Sequence, residues 1–348
     1  MLLLIRTCRF CLVALALLPA FNVFSQSLSW REVPPQTDAS FRALSVVDDS
    51  VVWIAGTRGW VGRSVNGGDT WKFNQVNGFE RYDFRSLYAF DKHRAIIANA
   101  GAPANILITT DGGANWKVVY THKDTAAFFD GIEFWNDKEG MVYGDPLGGR
   151  MLLLETRDGG ETWTDVKTSP RLNEGEASFA ASGTNIRLSD KRTVIITTGG
   201  TTSRLWISRD GGRKWQTQNP PVIQEASSTG IFSFSGFREG KGVVVGGDYL
   251  RDSLTVDHVS YTHDGGKTWK KPTRPTRGYR ECVEFLNDSF LISTGPTGTD
   301  ISVDGGINWT PASDEKSFHV VRKARMGSLV VIAGGKGKIS IIKYEDGH

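Results

Sequence analysis

Residues Trp206–Trp215 read WISRDGGRKW. A short apolar run ends at Ser208, an Asp-Gly-Gly turn follows at Asp210–Gly212, and a Trp arrives five residues after the Asp. The stretch is one of six. SVNGGDTW stands at Ser64–Trp71, TTDGGANW at Thr109–Trp116 and TRDGGETW at Thr156–Trp163. THDGGKTW follows at Thr262–Trp269 and SVDGGINW at Ser302–Trp309. Internal spacing is identical in all six, and the boxes recur every 40 to 54 residues. A period of that size marks a repeat architecture in which every unit belongs to one body.

One unit shows what is repeated. Before the first box, FRALSVVD is rich in β-branched and apolar residues. SVVWIAG, TRGWVGRS and, after the box, KFNQV complete a set of four short strands with turn residues between them. The second and fifth units read the same way, and the chain beyond the leader shows no convincing helical period. Four short strands per repeat predict a β-propeller blade, with the box between its third and fourth strands.

The box chemistry follows from its residue types. Asn66, Asp111, Asp158, Asp210, Asp264 and Asp304 stand where a short side chain can accept hydrogen bonds from its own turn. Two glycines permit positive φ. Trp71, Trp116, Trp163, Trp215, Trp269 and Trp309 then begin the outer strand and bury a large ring. The boxes are predicted to be structural. One carboxylate each does not make a Ca²⁺ site, which takes about six or more oxygens.

Six boxes give six blades. At the C-terminus FHVVRKAR, GSLVVIAGG and KISIIKY supply three more strands, and SLSWREVP near the N-terminus supplies one, with Trp30 in the place of a box Trp. Joining them predicts a seventh blade that closes the ring and removes two exposed sheet edges. The expected architecture is an all-β, seven-bladed propeller spanning residues 26–348, four antiparallel strands per blade.

Residues 1–25 read differently. Arg6 and Arg9 precede an apolar run from Phe10 to Phe21, and Ser25–Gln26 offers a cleavage site. This predicts an export signal and a periplasmic or extracellular destination, with a retained anchor as the alternative. Cys8 and Cys11 lie in that leader, which leaves Cys282 with no partner for a disulfide and no set for a Cys-based zinc site. The 41 basic and 38 acidic side chains nearly balance, which argues against nucleic-acid binding by bulk charge. His122, His258 and His263 show no metal-ligand spacing, no nucleophile elbow is present, and GGKGKIS at Gly334–Ser340 lacks the spacing of a phosphate loop. No cofactor or metal is expected. The chain is expected to be a monomer with no transmembrane segment after the leader.

The box is identified as the Asp-box (BNR) repeat. A leader, one box per blade and a seventh blade closed by both chain ends resemble the photosystem II stability/assembly factor family and its bacterial relatives. GDPLGGRMLLLETRDGG at Gly144–Gly160 and EGEASFAASGTNI at Glu174–Ile186 also resemble bacterial members labelled "oxidoreductase". No G-x-G-x-x-G follows a strand and opens a helix, so that label has no residue support. The resemblance implies a non-catalytic scaffold that holds a protein or an envelope complex, through an Arg-rich face.

Inner strands line a propeller's channel, and the loops at their starting ends form the face on which ligands usually bind. The same inner-strand position in each blade reads Arg42, Arg85, Asp130, Ala180, Ser233, Arg280 and His319. Arg58, Tyr82, Asp145, Arg150, Glu174, Glu176, Asp248, Asp257 and Tyr279 are expected nearby. Of these, Arg42, Arg85, Asp130, Asp145, Glu176, Asp248, Tyr279 and Arg280 are the candidate binding residues. Arginine suits a carboxylate, a phosphate or an acidic protein patch; the alternative is that these charges pair only with one another. Asp boxes also occur in sialidases and xyloglucanases, so a glycoside hydrolase acting on glycans is the competing function. On that reading Arg42, Arg85 and Arg280 clamp a sugar carboxylate, Tyr279 is the nucleophile, and Glu176 and Asp130 assist. Asp130 with Asp145 is an alternative acid pair. The F/Y-R-I-P motif of sialidases is missing, since FRAL stands at Phe41–Leu44.

Overall fold

All six boxes close in the same way. The opening Ser or Thr hydroxyl donates to the Oδ1 of the Asn or Asp two residues on, at 2.8–3.0 Å. It also accepts the N–H of the second Gly. The same Oδ1 then accepts the N–H four residues further, from Thr70, Asn115, Thr162, Lys214, Thr268 and Asn308. The first Gly donates to a carbonyl in the turn between the first two strands of its own blade, as Gly67 does to Ser50 and Gly211 to Arg192. Both glycines of every box have positive φ. Hydrogen bonds to the ionised form hold the Asp111, Asp158 and Asp264 carboxyls down at about 2; at Asp158 desolvation pushes upward and is outweighed. These hydrogen bonds stiffen the turns.

The computed structural model describes residues 28–189 and 192–344, and within them the strands form seven antiparallel sheets. Blade 1 is Phe41–Val46, Val52–Gly56, Trp60–Ser64 and Lys72–Gln75. Blade 2 is Asp83–Ala89, Ala95–Ala100, Asn105–Thr109 and Lys117–Thr121, and blade 3 is Phe129–Phe134, Gly140–Leu147, Arg150–Thr156 and Thr164–Asp165. Blade 4 is Ile186–Ser189, Thr193–Thr197, Leu205–Ser208 and Gln216–Gln218. Blade 6 is Cys282–Phe285, Leu291–Gly295, Gly298–Ser302 and Thr310–Ser313. Blade 5 holds Thr229–Arg238, Lys241–Asp248 and Val259–Thr262, and its outer strand after Trp269 is cut to one bridge between Tyr261 and Lys270. Its inner edge gains Gly199–Gly200 and Glu176–Ala177. Blade 7 is Phe318–Lys323, Val330–Gly334, Ile339–Tyr344 and Leu28–Val33, so the seven-bladed expectation is met and the last blade closes as expected, with Trp30 opposite Ile342. The predicted leader falls outside the described residues.

Between most blades, the second strand of one packs against the box of the next. Trp53 of blade 1 meets Trp116 edge-on at 6.3 Å, and a Cβ on Gly160 would strike Ile96 of blade 2. Four box tryptophans also donate their indole N–H to the carbonyl of the second Gly, at 3.0–3.2 Å. Trp269 instead reaches Gln218 on blade 4 at 3.1 Å. Core residues thus lie in wedges between neighbouring blades rather than in one central mass, because the middle of the ring is the channel. Cys282 is fully buried, with burial raising its thiol to about 11. It behaves as a small core residue, as its sequence context predicts.

Candidate functional site

A β-bulge decides what faces the channel. In blades 1, 2, 3, 5 and 7 the inner strand breaks register at Arg42, Arg85, Asp130, Phe232 and His319. One extra residue re-aims a side chain. Gly56 lies across the bulge of blade 1, so close to the Ser40 carbonyl that a side chain would not fit. In blade 6, Gly295 meets the Arg280 Cα just as Gly56 meets the Phe41 Cα, so the channel position belongs to Glu281.

These bulges surround a cavity of about 450 Å³ at the mouth of the channel. It is lined by Arg42, Arg85, Asp130, Asp145 and Tyr279 from the candidate set, together with Phe179, Ala180, Phe232, Tyr249 and Glu281. Arg42 donates to Glu281 Oε2 and to the Ala181 carbonyl, both at 3.0 Å. Arg85 pairs with Asp83 at 2.7 Å. Burial pushes the Glu281 carboxyl up, but Arg42 and His319 more than offset this and leave it below the usual range. The Tyr279 hydroxyl lies 3.4 Å from Glu281 Oε1; burial, then the charge of Glu281, raises it well above the usual phenol value.

Asp130 is different. It is completely buried and neither carboxylate oxygen meets a hydrogen-bond donor at good geometry. Desolvation, then the neighbouring Asp145, pushes its carboxyl well above the usual range, against weaker opposing effects of Arg85 and Ser178. Asp145 accepts the Ser178 N–H at 3.1 Å, and burial raises it as well. Beside the carboxylates begins an aromatic group, since Phe179 follows the Ser178 that donates to Asp145. Phe179 stacks on Phe232 with centroids 3.9 Å apart, and Tyr279 meets Phe232 edge-on at 4.7 Å. Tyr249 stands edge-on to both Phe179 and Phe232 at the rim, and is half-exposed.

Three candidate residues lie elsewhere. Arg280 is fully buried, gripping Asp300 through Nε and Nη2 while Nη1 serves Tyr279 O and Thr297 Oγ1. It fastens a loop within blade 6. Glu176 is buried beneath Arg204 and accepts from Thr198 Oγ1, Trp206 Nε1 and Asn173 N. It ties the segment before blade 4 to that blade. Asp248 accepts from Leu250 N and Arg251 Nε, shaping the turn that carries Tyr249. Arg58, Tyr82, Arg150, Glu174 and Asp257 do not line the cavity. The inner strand of blade 4 begins at Ile186, so Ala180 belongs to a loop before it that still reaches the mouth. Ser233 is the neighbour of the true channel residue Phe232 and bonds Thr184 within the wall.

At the other end of the channel is a smaller cavity of about 200 Å³. Its charges interlock: Arg187 with Glu284 at 2.7 Å, Arg322 with Glu133 at 3.0 Å, and Arg325 on Ser45 Oγ and over the Tyr88 ring. Among the described residues no group of three His, Cys, Asp or Glu side chains gathers as a metal would require, and no helix is long and apolar enough to cross a membrane.

Fold and boxes together define an Asp-box β-propeller. The family model described as photosynthesis system II assembly factor YCF48 matches residues 23–124 and 100–187, and the BNR/Asp-box repeat matches 260–271. The chain is similar to the structure described as YCF48 bound to D1 peptide, at 17% identity and TM-score 0.67, covering 90% of this chain and 96% of that one. YCF48 from Cyanidioschyzon merolae gives 16% identity, TM-score 0.63, and coverage of 90% and 98%. A GH74 xyloglucanase from Xanthomonas campestris gives 13% identity and TM-score 0.65; the match takes in 90% of this chain but 53% of that enzyme. At these identities the structural likeness concerns the fold. Among curated proteins none matches the chain.

Proposed function

We propose that this chain is an exported, non-catalytic propeller that holds a polypeptide, free or within an envelope complex, over the mouth of its channel. The carrying observation is the mouth cavity itself. It joins an aromatic wall with the half-exposed Tyr249 at its rim to polar groups contributed by several blades, on a scaffold that the boxes make rigid. Aromatic anchors beside charged groups are the composition of protein-binding hot spots. A YCF48 chain of similar fold is described as bound to a D1 peptide, which supports a peptide as the kind of ligand. No such partner follows for this chain by name.

A second reading draws on one observation. Asp130 and Asp145 line one cavity and both have raised carboxyls, as a glycosidase acid does. The xyloglucanase likeness points the same way.

Co-purification from the native envelope separates the two. Wild type is compared with a Tyr249→Ala, Phe179→Ala variant of unchanged thermal stability, and both are assayed for release of reducing sugar from xyloglucan. One stoichiometric polypeptide held by wild type and lost in the variant is expected, with no sugar release. Turnover of the glycan, abolished in Asp130→Asn, overturns the scaffold reading in favour of the hydrolase.

A further inference from the structure

The arginines at the mouth are already engaged and the carboxylates are not. Arg42 is bound to Glu281 and a carbonyl, and Arg85 to Asp83. Asp130 has no hydrogen bond of good geometry to either oxygen, only a weak approach of the Ser178 side chain, and Asp145 has the single backbone N–H of Ser178. Burying an unpaired carboxylate is costly, and natural structures leave few such groups unsatisfied. The aromatic wall beside them offers the half-exposed Tyr249 and the partly exposed Phe179 to whatever enters, with Phe232 behind them. A guest carboxylate would meet two carboxylates, and two guanidinium groups whose charge is already offset by Glu281 and Asp83. A guest cation meets Asp145, with the buried charge of Asp130 behind it, and a set of aromatic rings, the surroundings that favour an ammonium or guanidinium on a flexible apolar stem.

We propose that the mouth cavity takes a basic side chain of the bound polypeptide, its charge against Asp130 and Asp145 and its stem against Phe179, Phe232 and Tyr249. This rests on the polypeptide-binding reading above and inverts the expectation drawn from the arginines alone. The cation favours the ionised form of both carboxylates, so binding releases whatever protons they still hold. The groups facing Asp130 are Asp145, Arg85, Ser178 and Tyr143, and on the far side Glu281, Arg42, His319 and Tyr279 complete the mouth. Because Asp130 and Asp145 carry raised carboxyls when the cavity is empty, affinity for a basic side chain rises with pH through that range and levels off above it.

The test uses the full chain without its leader and three blocked pentapeptides, Gly-Gly-X-Gly-Gly, with X as Lys, norleucine or Glu. Binding is followed by calorimetry in buffers of different ionisation enthalpy and by shifts of the Tyr249 resonances. Lys is expected to bind about tenfold or more tighter than norleucine, to tighten as pH rises above the ordinary aspartate range, and to release protons on binding. Asp130→Asn, a near-isosteric change at an unpaired group, is expected to remove the Lys preference and leave norleucine binding unchanged. Tyr249→Ala, at the exposed rim where folding is not at risk, weakens both. Equal affinity for Lys and norleucine, or a Lys preference that survives Asp130→Asn, overturns the inference. Tighter binding of Glu that is lost in Tyr249→Ala overturns it too but leaves the polypeptide reading standing. Binding of no peptide sinks both, and a xyloglucan oligosaccharide that perturbs Tyr249 instead transfers the cavity to the glycan reading.

Discussion

The Glu281 carboxylate joins three blades through one oxygen: Arg42 Nη1 of blade 1 donates to Oε2 at 3.0 Å, and His319 Nδ1 of blade 7 lies 2.6 Å from the same atom. Both flanking side chains sit on bulges, so backbone irregularity delivers them to Glu281. Glu281→Gln removes the charge that Arg42 was built against. It is expected to cost about 2 kcal/mol or more at pH 7, since breaking one side of a buried pair leaves the other uncompensated. The carboxyl is lowered in the folded protein, so this contribution is present above the ordinary glutamate range and fades as pH falls through the lowered value. Denaturant unfolding of both forms between pH 3 and 7 reads the difference; a gap that stays constant over that range contradicts the assignment.

Asp130→Asn should do the opposite. The folded-state carboxyl is raised, so the native protein holds a proton that the unfolded chain releases, and stability falls as pH rises from the ordinary aspartate range. Replacing the carboxylate with a neutral amide removes that loss. Melting temperatures of the two proteins are expected to converge near pH 4 and to separate in favour of Asp130→Asn by pH 8. A variant less stable than wild type at pH 8 would show that the native carboxylate has a partner that the geometry lacks.

The boxes carry their own natural experiment. Asn66 occupies the acidic position of the first box, yet its Oδ1 accepts from Ser64 Oγ and Thr70 N as the aspartates do, and its Nδ2 donates to Thr70 Oγ1. An amide therefore suffices for the turn. Asp158→Asn is expected to change stability by less than about 0.5 kcal/mol, whereas Asp158→Ala loses every accepted bond and costs about 1–2 kcal/mol. Trp309, only 1% exposed, is expected to lose about 3–5 kcal/mol on change to Ala. Trp269, partly exposed beside a blade that lacks a full outer strand, should lose distinctly less. Chemical denaturation of the four variants checks the order.

Legibility in the sequence followed the kind of interaction that fixes each part. The ring, its blade count and its closure are written in short local patterns, because turn chemistry and strand alternation act within a few residues. Arg42, Arg85 and Asp130 were found because each follows an aromatic residue at the head of a strand that reads plainly. Glu281 and Phe232 were missed by one position each: a bulge shifts side-chain facing without leaving a mark that period-two alternation can detect. Tyr249 was missed because it rides on a loop whose direction is set by Asp248 and Arg251. The weight that the sequence puts on arginine has its own cause. Sequence counts charges, whereas only geometry tells that Arg42 and Arg85 already have partners and that Asp130 does not.

The closing strand gives the last prediction. Leu28–Val33 is the outer strand of blade 7, and its six residues pair one to one with Ile339–Tyr344. Arg31 crosses to blade 1, with Asp69 at 2.9 Å and the carbonyls of Gly67 and Gly68 nearby, so the strand also fastens the first box. A chain begun at residue 35 keeps every inner strand but bares the edge of Ile339–Tyr344, an apolar strand with open N–H and C=O groups. Such an edge pairs with other copies. The shortened chain is expected to unfold at lower denaturant with a broader transition and to form concentration-dependent oligomers, both seen by light scattering alongside far-UV circular dichroism. Adding a synthetic peptide of residues 28–34 should restore the monomer, since the vacated edge accepts one strand in one register. A shortened chain that stays monomeric and melts with the intact protein would show that the ring holds without its N-terminal strand.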